Sequence, residues 1–153
     1  LMSKTSTNIK VVNSISELGR EEWDKCAIFQ SDDDSNETAD PFTCYDFLHA
    51  LEKSGSVGEG TGWIPYHLAA FNNNKFVGAV PLYLKSNSQG EYIFDHNWAH
   101  AFERAGGRYY PKLQISVPFT PVTGRRLLVS KNAPNNTASL LLQSAFALCK
   151  LNI

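Results

Sequence analysis

The side chains best suited to chemistry lie between Asp95 and Arg126. Asp95 and Glu103 are the candidate catalytic pair, because a carboxylate beside a cleft can orient an amine or accept its proton. Pairing with Arg104 or Arg108 is the competing reading, and surface pairs of that kind contribute little to stability. Tyr109, Tyr110 and Lys112 would line the same side of a binding site, unless they form a packed aromatic corner. Thr120 and Thr123 flank Pro121, and their hydroxyls join the backbone from Phe119 to Thr123 as donors toward a developing oxyanion. Arg125 and Arg126 complete the candidate set. Neighbours on an extended segment point to opposite faces, so at most one of the two enters the cleft, where its planar fork would suit a phosphate or carboxylate.

Other chemistries fit less well. His96, His100 and Glu103 share one face if helical, but Asn97 follows the first histidine where a zincin requires glutamate, so no metal site is expected. Asp32, Asp33 and Asp34 lack the alternating ligands, glycine and distal glutamate of a calcium loop. The run from Gly55 to Gly62 leaves a helix and enters a strand, the reverse of a phosphate-binding loop, and reads as a helix cap with a connector. There is no GxSxG elbow, and Cys44 falls on an apparent core face.

These residues must be positioned by a series of short elements. Ile9 to Val12 reads as a strand, and Ser14 with Glu17 as a capping box before a helix that Gly19 threatens to break. The segment 31–40 is an acidic, solvated loop. Asp40 and Pro41 open a helix with Cys44, Phe47, Leu48 and Leu51 on one face, ending at Gly55. Trp63 to Phe71 and Lys75 to Lys85 form a hairpin through Asn72, Asn73 and Asn74. Glu91 to Asp95 is a further strand, and Trp98 to Ala105 a helix closed by Gly106 and Gly107. Leu113, Ile115, Val117 and Phe119 alternate with polar residues or proline, as in a half-buried strand that Pro118 and Pro121 force to end or splay. Arg125 to Ser130 extends again, and Thr137 caps a last helix with a wide apolar face. The order indicates α+β with a mostly antiparallel sheet flanked by helices.

Composition narrows the class. A chain of 153 residues, 42% hydrophobic and with net charge -1, suits one globular domain without a global field for nucleic acid or anionic membranes. Three cysteines without CxxC spacing suit a reducing compartment. The N-terminus has no apolar signal core, and no run reaches the roughly 18 apolar residues of a membrane span. A cytoplasmic protein without membrane insertion is expected.

Five blocks carry a family resemblance: Gly55 to Trp63, Val80 to Ser86, Glu91 to Asp95, Ala101 to Gln114 and Arg108 to Val129. From about Asp40 onward the chain resembles the FemAB-like family of peptidoglycan biosynthesis/recognition, classed with predicted N-acyltransferases of the GNAT superfamily. The resemblance implies a GNAT-like (acyl-CoA N-acyltransferase-like) half, with 1–153 the N-terminal part of a longer domain. It implies transfer of an acyl or aminoacyl group to a small-molecule or peptidoglycan-precursor-like amine, the kind of acceptor for which Asp95, Glu103 and the binding residues above are read as candidates. Acyl-CoA or aminoacyl-tRNA would be the co-substrate, tRNA serving only as donor, and no cofactor would be covalently bound. Ser130 to Asn136 lacks the glycines of a pyrophosphate loop, which moves donor binding to another half. That half, or self-association, would cover the last helix. A recognition or scaffold module and a metal-assisted hydrolase are the rival functions.

Overall fold

The computed structural model describes residues 6–30 and 37–151. The expected acidic loop over 31–40, with Asp32, Asp33 and Asp34, falls largely outside them. The first strand, β1 (Thr7–Val12), leads to the capping box: Ser14 N donates to Glu17 Oε1 at 3.1 Å, and Ser16 N to Ser14 Oγ at 3.1 Å. The box closes only a 3-10 turn (Ile15–Glu17). Gly19 interrupts the expected helix, and helix α1 (Arg20–Ala27) restarts beyond it. Gly19 is the N-cap of α1, with φ -71° and ψ 138°, and the Glu22 carboxylate lies over it, 2.0 Å from where a Cβ would stand.

Short strands β2 (Phe29–Gln30) and β3 (Glu37–Thr38) pair with each other. Asp40 caps a turn instead of the helix: its Oδ1 accepts from Phe42 N at 3.0 Å and its carbonyl from Thr43 N at 3.1 Å. Helix α2 (Tyr45–Lys53) starts after Cys44, where Asp24 of α1 accepts from Tyr45 N at 2.8 Å. A cap supplied by another helix carries no local sequence signature. Next come β4 (Trp63–Pro65), β5 (His67–Asn72), β6 (Lys75–Val80), β7 (Leu82–Lys85), α3 (His96–Arg104), β8 (Lys112–Ile115), β9 (Leu128–Val129) and α4 (Thr137–Lys150).

The hairpin turns at Asn73 and Asn74, with φ of 49° and 63°, as asparagine tolerates. Its ladder breaks at Pro81, which has no N–H. The distal half therefore joins one sheet, β1-β5-β6-β9, while the proximal half joins another, β4-β7-β8. Every pairing among the described strands is antiparallel, and the fold is α+β.

Both faces of the larger sheet are covered. Ala69 and Ala79 pack toward α1 with Trp23, Cys26 and Leu128, whereas Leu68, Ala70 and Val80 pack toward α4 with Leu141. This explains the unbroken apolar run along β5, since a strand buried on both sides loses its alternation. Trp23, fully buried, donates its indole N–H to Thr43 O at 2.8 Å. A buried polar pair adds a tie: Glu52 accepts from Ser14 Oγ at 2.6 Å and Ile15 N at 3.0 Å, and meets His67 Nε2 at 3.1 Å.

Several expected boundaries move. Residues 91–95 form no strand, because Glu91 and Asp95 turn inward while Tyr92, Ile93 and Phe94 all face solvent, which period two does not permit. Helix α3 starts at His96, two residues before the expected Trp98. The strand expected to reach Phe119 stops at Ile115; Pro118 removes a donor and Phe119 has φ 61°. Only Leu128 and Val129 pair in the segment 125–130, and Asn136 caps α4 with Thr137 as its first residue. Of α4's apolar face, Leu141, Ala145 and Leu148 pack on the sheet, while Phe146 is exposed.

Candidate functional site

The smaller sheet places two lysines side by side. Lys85 on β7 and Lys112 on β8 are direct cross-strand partners, so their ammonium groups would repel unless anions intervene. Two carboxylates do. Glu91 Oε1 lies 3.5 Å from Lys85 Nζ and 3.9 Å from Lys112 Nζ, and Asp95 Oδ2 pairs with Lys112. Opposite charges thus alternate along Lys85, Glu91, Lys112 and Asp95. The loop after β7 supplies both acids, and Asp95 ends it as the residue preceding α3.

Hydroxyls saturate Asp95. Tyr109 OH donates to Oδ2 at 2.8 Å, and Ser88 Oγ donates to Oδ1 while also meeting Tyr110 OH. Lys112 Nζ lies 4.9 Å from the centroid of Tyr109 and 5.6 Å from that of Tyr110. Burial favours the neutral acid, but hydrogen bonds from Lys112, Ser88 and Tyr109 outweigh it and hold the Asp95 carboxyl well below the usual carboxylate range. Burial also works against the Lys112 charge, yet Asp95 and Glu91 keep its pKa raised. Burial, then Asp95, raises both tyrosines.

Lys85 is fully buried. Its Nζ sits 3.5 Å from the centroid of the Trp63 ring and donates to Gln89 O at 3.3 Å; the Trp63 indole N–H shares that carbonyl at 3.1 Å. Burial pushes the Lys85 pKa down to about 8, with Glu91 opposing the shift.

Beside this network lies a recess of about 110 Å³, walled by Trp63, Phe119, Gln114, Thr120 and Pro121, with Glu91 on its lining. Gly90 packs against two of the wall residues. Its φ is +75°, and a Cβ there would lie 2.5 Å from Phe119 Cε1 and 3.2 Å from Trp63 Nε1. Only glycine combines that dihedral with so close an approach.

The structure therefore brings together Asp95, Tyr109, Tyr110 and Lys112, with Thr120 on the adjoining recess. Glu103 is exposed on α3 and takes no part in the network, which corrects its expected pairing with Asp95. Thr123 is exposed. Arg126 is engaged within its own loop, donating to Val122 O at 2.7 Å and Arg125 O at 3.1 Å, with Asp40 Oδ2 at 3.9 Å. Arg125 bears on the thiol of Cys26, which burial pushes up to about 12. The two arginines do differ in surroundings, but Arg126 is not beside Tyr109, Tyr110 and Lys112. His96 stacks on Phe94 at 5.6 Å, and among the described residues no group of three or more His, Cys, Asp or Glu is arranged to hold a metal ion.

Lys85, Glu91, Ser88, Gly90 and Trp63 escaped sequence reasoning. One signal was present: Lys85 stands two residues after Tyr83, on the side of β7 that alternation sends inward.

A family model described as FemAB-like, peptidoglycan biosynthesis/recognition, matches residues 14–152, starting well before the expected Asp40. No curated protein and no solved structure matches the chain.

Proposed function

Because the chain belongs to the FemAB-like family of peptidoglycan biosynthesis/recognition, we propose that it serves N-acyl transfer, binding the amine acceptor of an acyl or aminoacyl group. One observation carries the reading: Glu91 belongs both to the four-charge network and to the lining of the recess. An amine arrives in water as an ammonium, which a partly shielded carboxylate attracts, and it must lose a proton before it attacks a carbonyl. Lys85, pushed down to about 8, sets the network near the point at which a proton moves at neutral pH. Asp95 is a poor proton acceptor, since it is held ionised by its hydrogen bonds; in this reading it fixes Lys112, Tyr109 and Tyr110. Thr120 Oγ1 donates its proton to Pro118 O at 3.1 Å, so in this reading the oxyanion donors are backbone N–H groups of the segment after Ile115 that lines the recess.

In this reading the fold is a GNAT-like half acting in the cytoplasm on a peptidoglycan-precursor-like amine. The donor, acyl-CoA or aminoacyl-tRNA, binds elsewhere. Supporting this, the segment before α4 closes on itself, with Ala133 N donating to Ser130 O at 3.0 Å and Thr137 N to Pro134 O at 2.9 Å, so it offers no glycine cradle for pyrophosphate. The same feature favours a second reading, a recognition module that binds the amine without transfer.

Calorimetric titration with soluble peptidoglycan-precursor peptides tests acceptor binding. The free-amine peptide is expected to bind at least about tenfold more tightly than its N-acetylated form, and Glu91→Gln to remove that preference. Equal affinity for both peptides refutes acceptor recognition at this site. Supplying an acyl donor to a form of the protein that also carries the donor-binding half then separates the two readings, since a recognition module binds without turnover.

A further inference from the structure

Lys85 and Lys112 share one carboxylate without depending on it equally. Glu91 Oε1 lies 3.5 Å from Lys85 Nζ and 3.9 Å from Lys112 Nζ, and it accepts a hydrogen bond from neither. Lys112 has a second anion in Asp95. For Lys85, Glu91 is the single ion-pair partner among the described residues. The other close contacts of its ammonium, the Gln89 carbonyl and the Trp63 ring, carry no net charge. Lys85 is fully buried, so water does not make good a lost counter-charge. Glu91 also lines the recess, and a cation that enters there takes hold of the carboxylate on which Lys85 relies.

We propose that an ammonium bound at Glu91 displaces the proton of Lys85, so that the recess takes up an amine with release of a proton. This rests on the reading of the recess as an amine site. The charged groups bearing on Lys85 are Glu91 and Asp95, from the loop after β7, which favour its ammonium, and Lys112 on β8, which opposes it; β4 presents the uncharged Trp63 ring. A bound ammonium adds a second opposing charge, in surroundings too poor in water to screen it. The deficit falls on Lys85 and not on Lys112, because Asp95 and Glu91 together hold Lys112 charged. Burial has already brought Lys85 down to about 8, so little further repulsion is needed. An N–H bond of its ammonium breaks, the electron pair stays on Nζ, and the proton passes to the buffer. The neutral amine keeps hydrogens to donate to Gln89 O, so the contact that seats Lys85 survives. This coupling sets the sign of the pH dependence. Below about pH 8 the incoming amine must displace a proton, and affinity rises with pH; above it Lys85 is already neutral, and affinity levels off until the ligand amine itself loses its charge.

Calorimetric titration of the chain with the free-amine peptide, in buffers of different ionisation enthalpy at about pH 7.5, counts the protons released. Roughly half a proton or more should leave per peptide bound, and affinity should rise about tenfold between about pH 6.5 and 8. Lys85→Met should bind the same peptide without release and with a flat pH profile over that range. Lysine-carbon NMR of the wild type gives a readout that needs no variant: the Lys85 Cε resonance should move to its neutral-amine position as the peptide saturates the recess. Preference for the free amine with no proton released overturns the proposal and leaves amine recognition standing. Release that persists in Lys85→Met also overturns it, since the proton then comes from the bound amine. Equal affinity for the free-amine and N-acetylated peptides removes the amine site itself, and the proposal with it.

Discussion

Replacing Lys85 with methionine should change how stability depends on pH. The Lys85 ammonium is fully buried on the face of Trp63, and its pKa falls from 10.5 to about 8. Below about pH 8 the folded and unfolded chains both hold the proton, and the native state bears the whole penalty of burying the charge. Between about 8 and 10.5 the unfolded chain still binds a proton that the native state has released, so stability contributed by this group rises with pH. A shift of that size corresponds to about 3 kcal/mol across the window, of which about half should be gained by pH 9 to 9.5. The Cys26 thiol acts in the opposite sense, because burial raises its pKa to about 12 and stability from it falls above the ordinary thiol range. Urea denaturation of wild type and Lys85→Met at a series of pH values removes that background, since both proteins keep Cys26. The difference between them should move by about 1 to 2 kcal/mol in favour of wild type from pH 7.5 to 9.5. Glu91→Gln, which removes the charge opposing the shift, should move the same rise to lower pH. Parallel pH curves for wild type and Lys85→Met would refute both the burial of the charge and the role given to Lys85 in tuning the site.

Gly90→Ala should destabilise the fold by about 2 to 4 kcal/mol, combining a left-handed backbone with a Cβ driven against the Phe119 ring, and should weaken ligand binding in the recess. Unchanged melting of that variant would show that the recess wall is not built on this contact. Arg126→Ala should lower stability by about 1 kcal/mol through loss of its bonds to Val122 and Arg125 carbonyls, while affinity for the free-amine peptide stays the same. A tenfold loss of affinity without a change in melting would return Arg126 to the binding site.

Much of the frame is legible in the residue order. The hairpin turn at Asn73 and Asn74, the helix end at Gly55, the end of α3 at Gly106 and the apolar face of α4 each rest on chemistry within a few positions. Asp95, Tyr109, Tyr110 and Lys112 were legible as a set for a related reason, being polar and aromatic groups gathered in one short segment. Glu103 was drawn in by the same nearness and proved separate, because a helix sends residues of one segment to different sides.

Register and burial decided the rest. The pairing of Lys85 with Lys112 exists only through the alignment of β7 with β8, and Glu91 is needed between them because like charges that face each other across a ladder repel. The recess depends on Gly90, Trp63 and Phe119, which are far apart in the chain and meet where a strand stops short after Ile115. The cap on α2 comes from Asp24 in another helix. By itself the sequence determined which residues can turn, cap or ionise, since those are properties of a residue and its neighbours. Which charges face one another, and which are stripped of water, only the tertiary structure decided, because Coulomb energy and desolvation depend on distances and surroundings that no local pattern encodes.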